Sequence, residues 1–267
     1  MRFCRWPIFF MSLFLASGTA QWPSYSDPLA PRLLDGSVDL NAPVPKTEDG
    51  RPRLSGVWWV PPETDPSTGA ELPPRRLIDL AYDLPDDAVQ MRPQAARLFA
   101  QRVAESGREL PSNYCLPPGI PMAYTAHVPF KILENARQVT ILYEYGNSFR
   151  QIFTDGRPLP EDPLPAWLGY SVGSWDEDTF VVETKGLNDR TWFDVRGHPH
   201  TEQLRLIERY RRIDYGHLEI SLTIDDAESY LNPWTVTVLA QRIPEGELIE
   251  YVCLEDEQDV AHIEAAQ

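Results

Sequence analysis

"TEQLRLIERYRR" (201–212) and "GHLEISLTID" (216–225) flank Asp214-Tyr215, and their reading decides the fold. Apolar and polar residues alternate in both runs, which is the two-residue period of a half-buried β-strand. A short polar break between two such runs predicts a hairpin. The pattern recurs. "QVTILYEY" and "SFRQIFTD" flank Gly146-Asn147, a two-residue turn signal. "GYSVGSW" precedes Asp176-Glu177 and "DTFVVETK" follows, while "WTVTVLAQRI" and "LIEYVC" flank Pro244-Glu245-Gly246. Four successive hairpins predict eight mainly antiparallel strands. So long a meander leaves aggregation-prone edges unless it curls round. The expected fold is therefore mainly β, a closed barrel or strongly bent sheet.

Other segments fill in the organisation. "LSGVWWV" (54–60) reads as one further strand. "RPQAARLFAQRVAESG" predicts one short helix, about 93–106, with Pro93 in its first turn and Gly107 beyond its end. Ala95, Leu98, Phe99 and Val103 would form its buried stripe. The N-terminus, "MRFCRWPIFFMSLFLASGTAQW", has two arginines, an apolar run and small residues, as a secretory signal peptide does. The organisation that follows is signal peptide 1–20, extended proline-rich segment 21–53, single barrel-like domain 54–256 and acidic tail 257–267. No other segment is apolar enough to span a membrane.

Export changes the meaning of the cysteines. Cys4 leaves with the signal, and Cys115 and Cys253 remain. Two cysteines in an oxidising compartment predict a disulfide. Such a bond would close a loop of more than a hundred residues, with a stabilisation of up to about 4–5 kcal/mol on chain entropy. The chain carries 24 basic against 40 acidic residues, a net charge of −16. That balance argues against nucleic acid or anionic membrane as a partner.

Gly169-Tyr170-Ser171-Val172-Gly173 spells G-x-S-x-G. A nucleophile elbow needs a buried strand entering the turn and a helix leaving it. The upstream "RPLPEDPLPAW" is too rich in proline for a central strand, and the downstream "DTFVVET" reads as strand. A serine hydrolase is therefore not expected. The glycines read as a bend or close backbone approach, and Ser171 as a strand or pocket residue.

Candidate chemistry lies elsewhere. Within 201–212 one face carries Leu204, Leu206 and Tyr210 together with Glu202 and Glu208. Two carboxylates turned inward need a partner or a role. "VRGHPHTE" brings His198 and His200 into that strand. If they line the barrel mouth, they become acid/base groups. His198, His200 and Glu202 could instead bind a divalent transition metal. The cupin pattern does not fit, however, because its glutamate lies further from the second histidine, and Pro199 disturbs a regular strand. A two-residue turn at Gly146-Asn147 would put Tyr143, Tyr145 and Arg150 on one face, where the guanidinium could hold an oxyanion, and Glu144 on the other. Trp192 could floor a pocket, and His127 lies in a proline-framed loop. The expected site thus has His198, His200, Glu202 and Arg150 as catalytic residues, with Tyr143, Tyr145, Glu144, Glu208, Trp192, Ser171 and His127 around a small-molecule substrate. No cofactor or resident metal is expected.

Two resemblances accompany this reading. "SGVW" is similar to the G-x-W at the first strand of lipocalins, which implies a calycin-like barrel. "CLPPGIP", the run from "ILYEYGNSFRQIFTDG" through "GYSVGSWDEDTFVVET" to "GHPHTEQLRLIERYRR", "LEISLTIDD" and "PWTVTV" resemble an uncharacterised family of exported bacterial proteins of acidobacterial type. The resemblance covers about 114–256. It implies export and the extent of the domain, and no mechanism. Tyr170 and Leu159 stand where that family has histidine. Two functions of different class follow: an exported acid/base enzyme of lyase, isomerase or hydratase type, or a non-catalytic lipocalin-like binding protein.

Overall fold

The computed structural model describes residues 27–253. The signal-peptide reading and the acidic tail lie outside the described residues. Nine strands close into a barrel: β1 (Gly56–Trp59), β4 (Phe130–Glu134), β5 (Gln138–Tyr143), β6 (Ser148–Phe153), β7 (Tyr170–Asp176), β8 (Thr179–Lys185), β9 (Arg205–Arg212), β10 (His217–Asp225) and β11 (Trp234–Arg242). The short hairpin β2 (Glu63–Thr64) and β3 (Glu71–Leu72) stands apart. Around the barrel the order is β1, β11, β10, β9, β8, β7, β6, β5, β4. Every neighbouring pair is antiparallel except β6 and β7, which run parallel over only two rows, Ile152 with Ser171 and Phe153 with Val172. The segment between them, 154–169, carries the prolines and crosses back without joining the sheet.

The alternation read from 201–225 is the alternation of the barrel wall. Leu206, Glu208, Tyr210 and Arg212 on β9, and Leu218, Ile220, Leu222 and Ile224 on β10, point inward and are buried. Each aliphatic side chain so buried contributes about 1.5–3 kcal/mol. Gly173 on β7 makes room for one of the largest: a Cβ there would lie 2.4 Å from the Phe180 ring. This is the close approach that the glycine signalled.

Three expectations need correction. The Gly146-Asn147 turn is longer than two residues. Tyr143 pairs with Ser148 and Ile141 with Arg150, so 144–147 form the loop, with Gly146 at φ +72°. Tyr143 and Arg150 still share the inner face, but Tyr145 leaves the barrel. "LIEYVC" forms no strand, because β11 already pairs with β1 on its free side. A strand that the sequence reading did not include, "FKILE", joins the barrel between β1 and β5. The helix forms as α2 (Pro93–Ala104), after a short α1 (Arg75–Ile78) and before a short α3 (Met122–Thr125). Of its expected stripe only Ala95 is buried, and Leu98 and Val103 face solvent.

The register gives the barrel two unlike ends. At one end lie the 144–147, 186–204 and 226–233 loops, with the helices of 60–129. At the other lie three short turns and the N-terminal strap. Cys115 and Cys253 are disulfide-bonded, 138 residues apart in sequence, and the bond holds the returning C-terminal segment at the helical end.

Candidate functional site

The expected residues fall into two clusters. The first lies inside the barrel. Arg150 of β6, Ser171 of β7, Thr184 of β8 and Glu208 of β9 are buried on four neighbouring strands; Ser171 and Thr184 are directly opposite, and Arg150 and Glu208 each lie two residues along from that row. The Arg150 guanidinium donates to Ser171 Oγ (3.0 Å), Thr184 Oγ1 (2.6 Å), Glu208 Oε1 (3.2 Å) and Glu208 Oε2 (2.5 Å). The Tyr210 phenol donates to Glu208 Oε1 at 2.9 Å. Tyr143 and Tyr124, the latter from α3, bring two more phenols against the pair. Their hydroxyls have no hydrogen-bond partner among the described residues. Burial pushes the Tyr143 phenol up to about 12 and Tyr124 and Tyr210 well above their ordinary value, so all three stay protonated at neutral pH. This cluster is a closed ion pair whose guanidinium is committed to protein partners. The expected role of Arg150 as an oxyanion holder at the mouth is therefore corrected. Ser171 is likewise engaged, as an acceptor inside a strand.

The second cluster is the 186–204 loop, folded down over the helical end of the barrel. Asp194 organises it. Its carboxylate accepts from Leu80 N (2.7 Å), Gly197 N (2.9 Å), His198 N (3.1 Å) and His198 Nδ1 (2.5 Å). The last contact fixes the His198 proton on Nδ1 and leaves Nε2 as a lone-pair nitrogen. Nε2 makes no hydrogen bond among the described residues, and the side chain keeps 5% exposure. Phe99 of α2 packs on this imidazole at 4.5 Å between ring centres, and Trp234 lies at 5.9 Å. Arg102, one turn along α2, donates to Gly197 O (3.2 Å) and sits 4.2 Å over the Trp192 ring. Burial lowers its pKa to about 10.

His200 differs from His198. Its Nδ1 lies 3.1 Å from Thr201 O, a carbonyl that can only accept, so Nδ1 carries the proton. Nε2 then accepts from Thr191 Oγ1 at 2.7 Å. Both ring nitrogens are used, and burial lowers the pKa. His200 is a structural, neutral histidine.

Other expected residues are scattered. Glu202 is exposed in the turn before β9. The strand starts only at Arg205, so the two-residue period does not reach Glu202, and its expected inward position is corrected. Glu144 is buried and accepts from Ile249 N at 3.1 Å, with burial raising its pKa. Tyr145 packs beside Leu110, Met122 and Trp192 outside the barrel. His127 is exposed. No hydrogen bond, ion pair or ring contact joins His198 or His200 to Arg150 among the described residues. The single pocket expected from the sequence is thus two separate clusters.

A metal at His198, His200 and Glu202 does not fit this geometry, since Glu202 is exposed and His200 has no free nitrogen. Asp79, Asp194 and His198 do bring one ligand atom each within 4.8 Å of one another. Yet Asp194 already accepts four N–H bonds, and Asp79 pairs with Arg196. A cation would have to displace those donors. Sequence reasoning missed Asp194 as the partner of His198. The signal was available as an aspartate four residues before a histidine, with Gly197 between them permitting the tight turn. No family model, curated protein or solved structure matches the chain.

Proposed function

We propose that the chain is an exported enzyme that transfers protons on a small organic molecule, with His198 as the acid/base group and Asp194 as its positioning residue. The observation that carries this reading is the Asp194–His198 pair. A carboxylate on Nδ1 orients the ring and fixes its tautomer, while Nε2 stays free for substrate. Arg102 supplies positive charge beside it, suited to an oxyanion formed on proton removal. Export rests on the N-terminal leader pattern and agrees with the Cys115–Cys253 bond, of a kind that persists in oxidising compartments. A lyase, isomerase or hydratase reaction fits these parts. A non-catalytic binding role draws on a different feature, the open cavity at the strap end.

The test is carbon-bound proton exchange in D₂O, followed by NMR over a panel of small keto acids, hydroxy acids and ketones. Exchange catalysed by the mature protein should fall about 10²–10⁴-fold in His198→Gln. It should fall in Asp194→Asn too, and survive in Glu202→Gln. Undiminished exchange in His198→Gln would overturn the assignment.

A further inference from the structure

The strap end of the barrel opens into a cavity of about 640 Å³, well within the range of small-molecule sites. Val139 of β5, with Gly173 and Trp175 of β7, line it from the barrel. The strap residues 47–53 line it from outside. The strap is itself a built element: Thr47 N donates to Arg51 O at 2.8 Å, Lys46 bridges to Pro52, and Arg53 O accepts from the Arg212 guanidinium.

The lining carries charge of both signs, Glu48, Asp49 and Glu134 against Arg51 and Arg53. Glu134 is held by the chain, its Oε2 accepting from Leu54 N (2.8 Å), Ser55 N (2.6 Å) and Ser55 Oγ (2.7 Å). Asp49 pairs with Arg51. Neutral polar groups stand among them. Asn135, Thr154 and Ser174 are among the lining residues, and Asn135 Nδ2 and the Thr154 hydroxyl make no hydrogen bond among the described residues, while Ser174 is exposed and alternates with Gly173 and Trp175 along β7. Beside them stands the half-buried Trp175 ring, with Phe180 on it at 5.3 Å between ring centres and Arg51 over it at 5.6 Å.

We propose that this cavity binds a neutral polyhydroxylated ligand of the mono- or disaccharide class. Hydroxyls on the ligand both donate and accept, which matches the mixed neutral groups of Asn135 and Thr154. The C–H face of a sugar ring matches an indole. Arg51 lies over that indole by an exposed contact, weak enough for a ligand ring to take its place while Arg51 keeps its exposed pair with Asp49. An apolar ligand would leave the amide and hydroxyls desolvated without partners. An anion would meet three lining carboxylates, Glu48, Asp49 and Glu134, against two arginines, Arg51 and Arg53, in a chain with net charge −16. The site lies at the barrel end away from the 186–204 loop, and it stands or falls independently of the catalytic reading.

The experiment is titration of the mature protein with glucose, galactose, maltose, cellobiose and lactose. The readouts are the assigned Trp175 indole N–H resonance and calorimetry, with glucuronate and octanoate as the charged and apolar comparisons. At least one neutral sugar should shift Trp175 at millimolar concentration. Its affinity should fall about tenfold or more in Trp175→Ala and in Asn135→Ala, as expected when a contact of roughly 1.4 kcal/mol is lost. Asn135 is exposed, so the second variant keeps the test valid if removing the indole disturbs packing on Phe180. Silence of Trp175 towards all five sugars would overturn the proposal. So would tighter binding of glucuronate or octanoate, or affinity unchanged in the folded variants.

Discussion

Arg150 and Glu208 face each other inside the barrel with side-chain exposures of 1% and 0% and a closest N–O approach of 2.5 Å. Such a pair is costly to break and cheap to replace as a unit. Glu208→Gln leaves a buried guanidinium without its counter-charge and should destabilise the fold by about 3–5 kcal/mol. Arg150→Met combined with Glu208→Leu should recover most of that loss, because neither charge is then stranded. Urea unfolding of Glu208→Gln and of the double variant measures the difference. A cost for Glu208→Gln below about 1 kcal/mol, the level of an exposed pair, would contradict the burial described.

Ser171 belongs to the same network, and its variant separates a structural serine from a nucleophile. Ser171→Ala removes the acceptor for Arg150 Nε and a partner of Thr184. The expected cost is about 1–3 kcal/mol, because a buried donor is left unmade. Fluorophosphonate probes should leave the wild-type protein unlabelled. Stoichiometric labelling at Ser171 would reinstate the nucleophile that the G-x-S-x-G spelling suggests.

Where neighbours along the chain decide the structure, the structure was legible. The inward positions of Leu206, Glu208 and Tyr210 follow from alternation alone, since β9 is regular and paired on both sides. Cys115 and Cys253 could be paired by elimination. Legibility ended where tertiary partners decide. "LIEYVC" has strand composition but finds no free edge. Glu202 reads as part of a period that Thr201 breaks by hydrogen-bonding Asp226. Arg102 reads as the polar side of a helix, yet it packs on Trp192. Asp194 lies in an aperiodic loop, where no repeat marks a buried carboxylate. The candidate site suffered most, because loops made it and loops carry no period.

His200 offers a pH-dependent test of that loop. Its ring is buried between Phe193 and the Thr191 hydroxyl, and desolvation lowers its pKa from the ordinary 6.5. Asp226 and Asp189 oppose the shift and Arg102 assists it, but burial prevails. The folded state therefore binds the His200 proton less readily than the unfolded chain does. Below pH 6.5 the unfolded chain takes up that proton while the folded state resists, so stability must fall as pH falls. The contribution is fully present above that pH and is lost on descending through the folded value. In His200→Gln the amide can still accept from Thr191, but nothing titrates. Its stability should lose the part of the slope between about pH 5 and 7 that belongs to a histidine, and every other titrating group cancels in the comparison. The measurement is urea unfolding of both proteins at several pH values across that window. Identical slopes would mean that His200 titrates alike folded and unfolded. In that case the ring is not held neutral beneath Thr191.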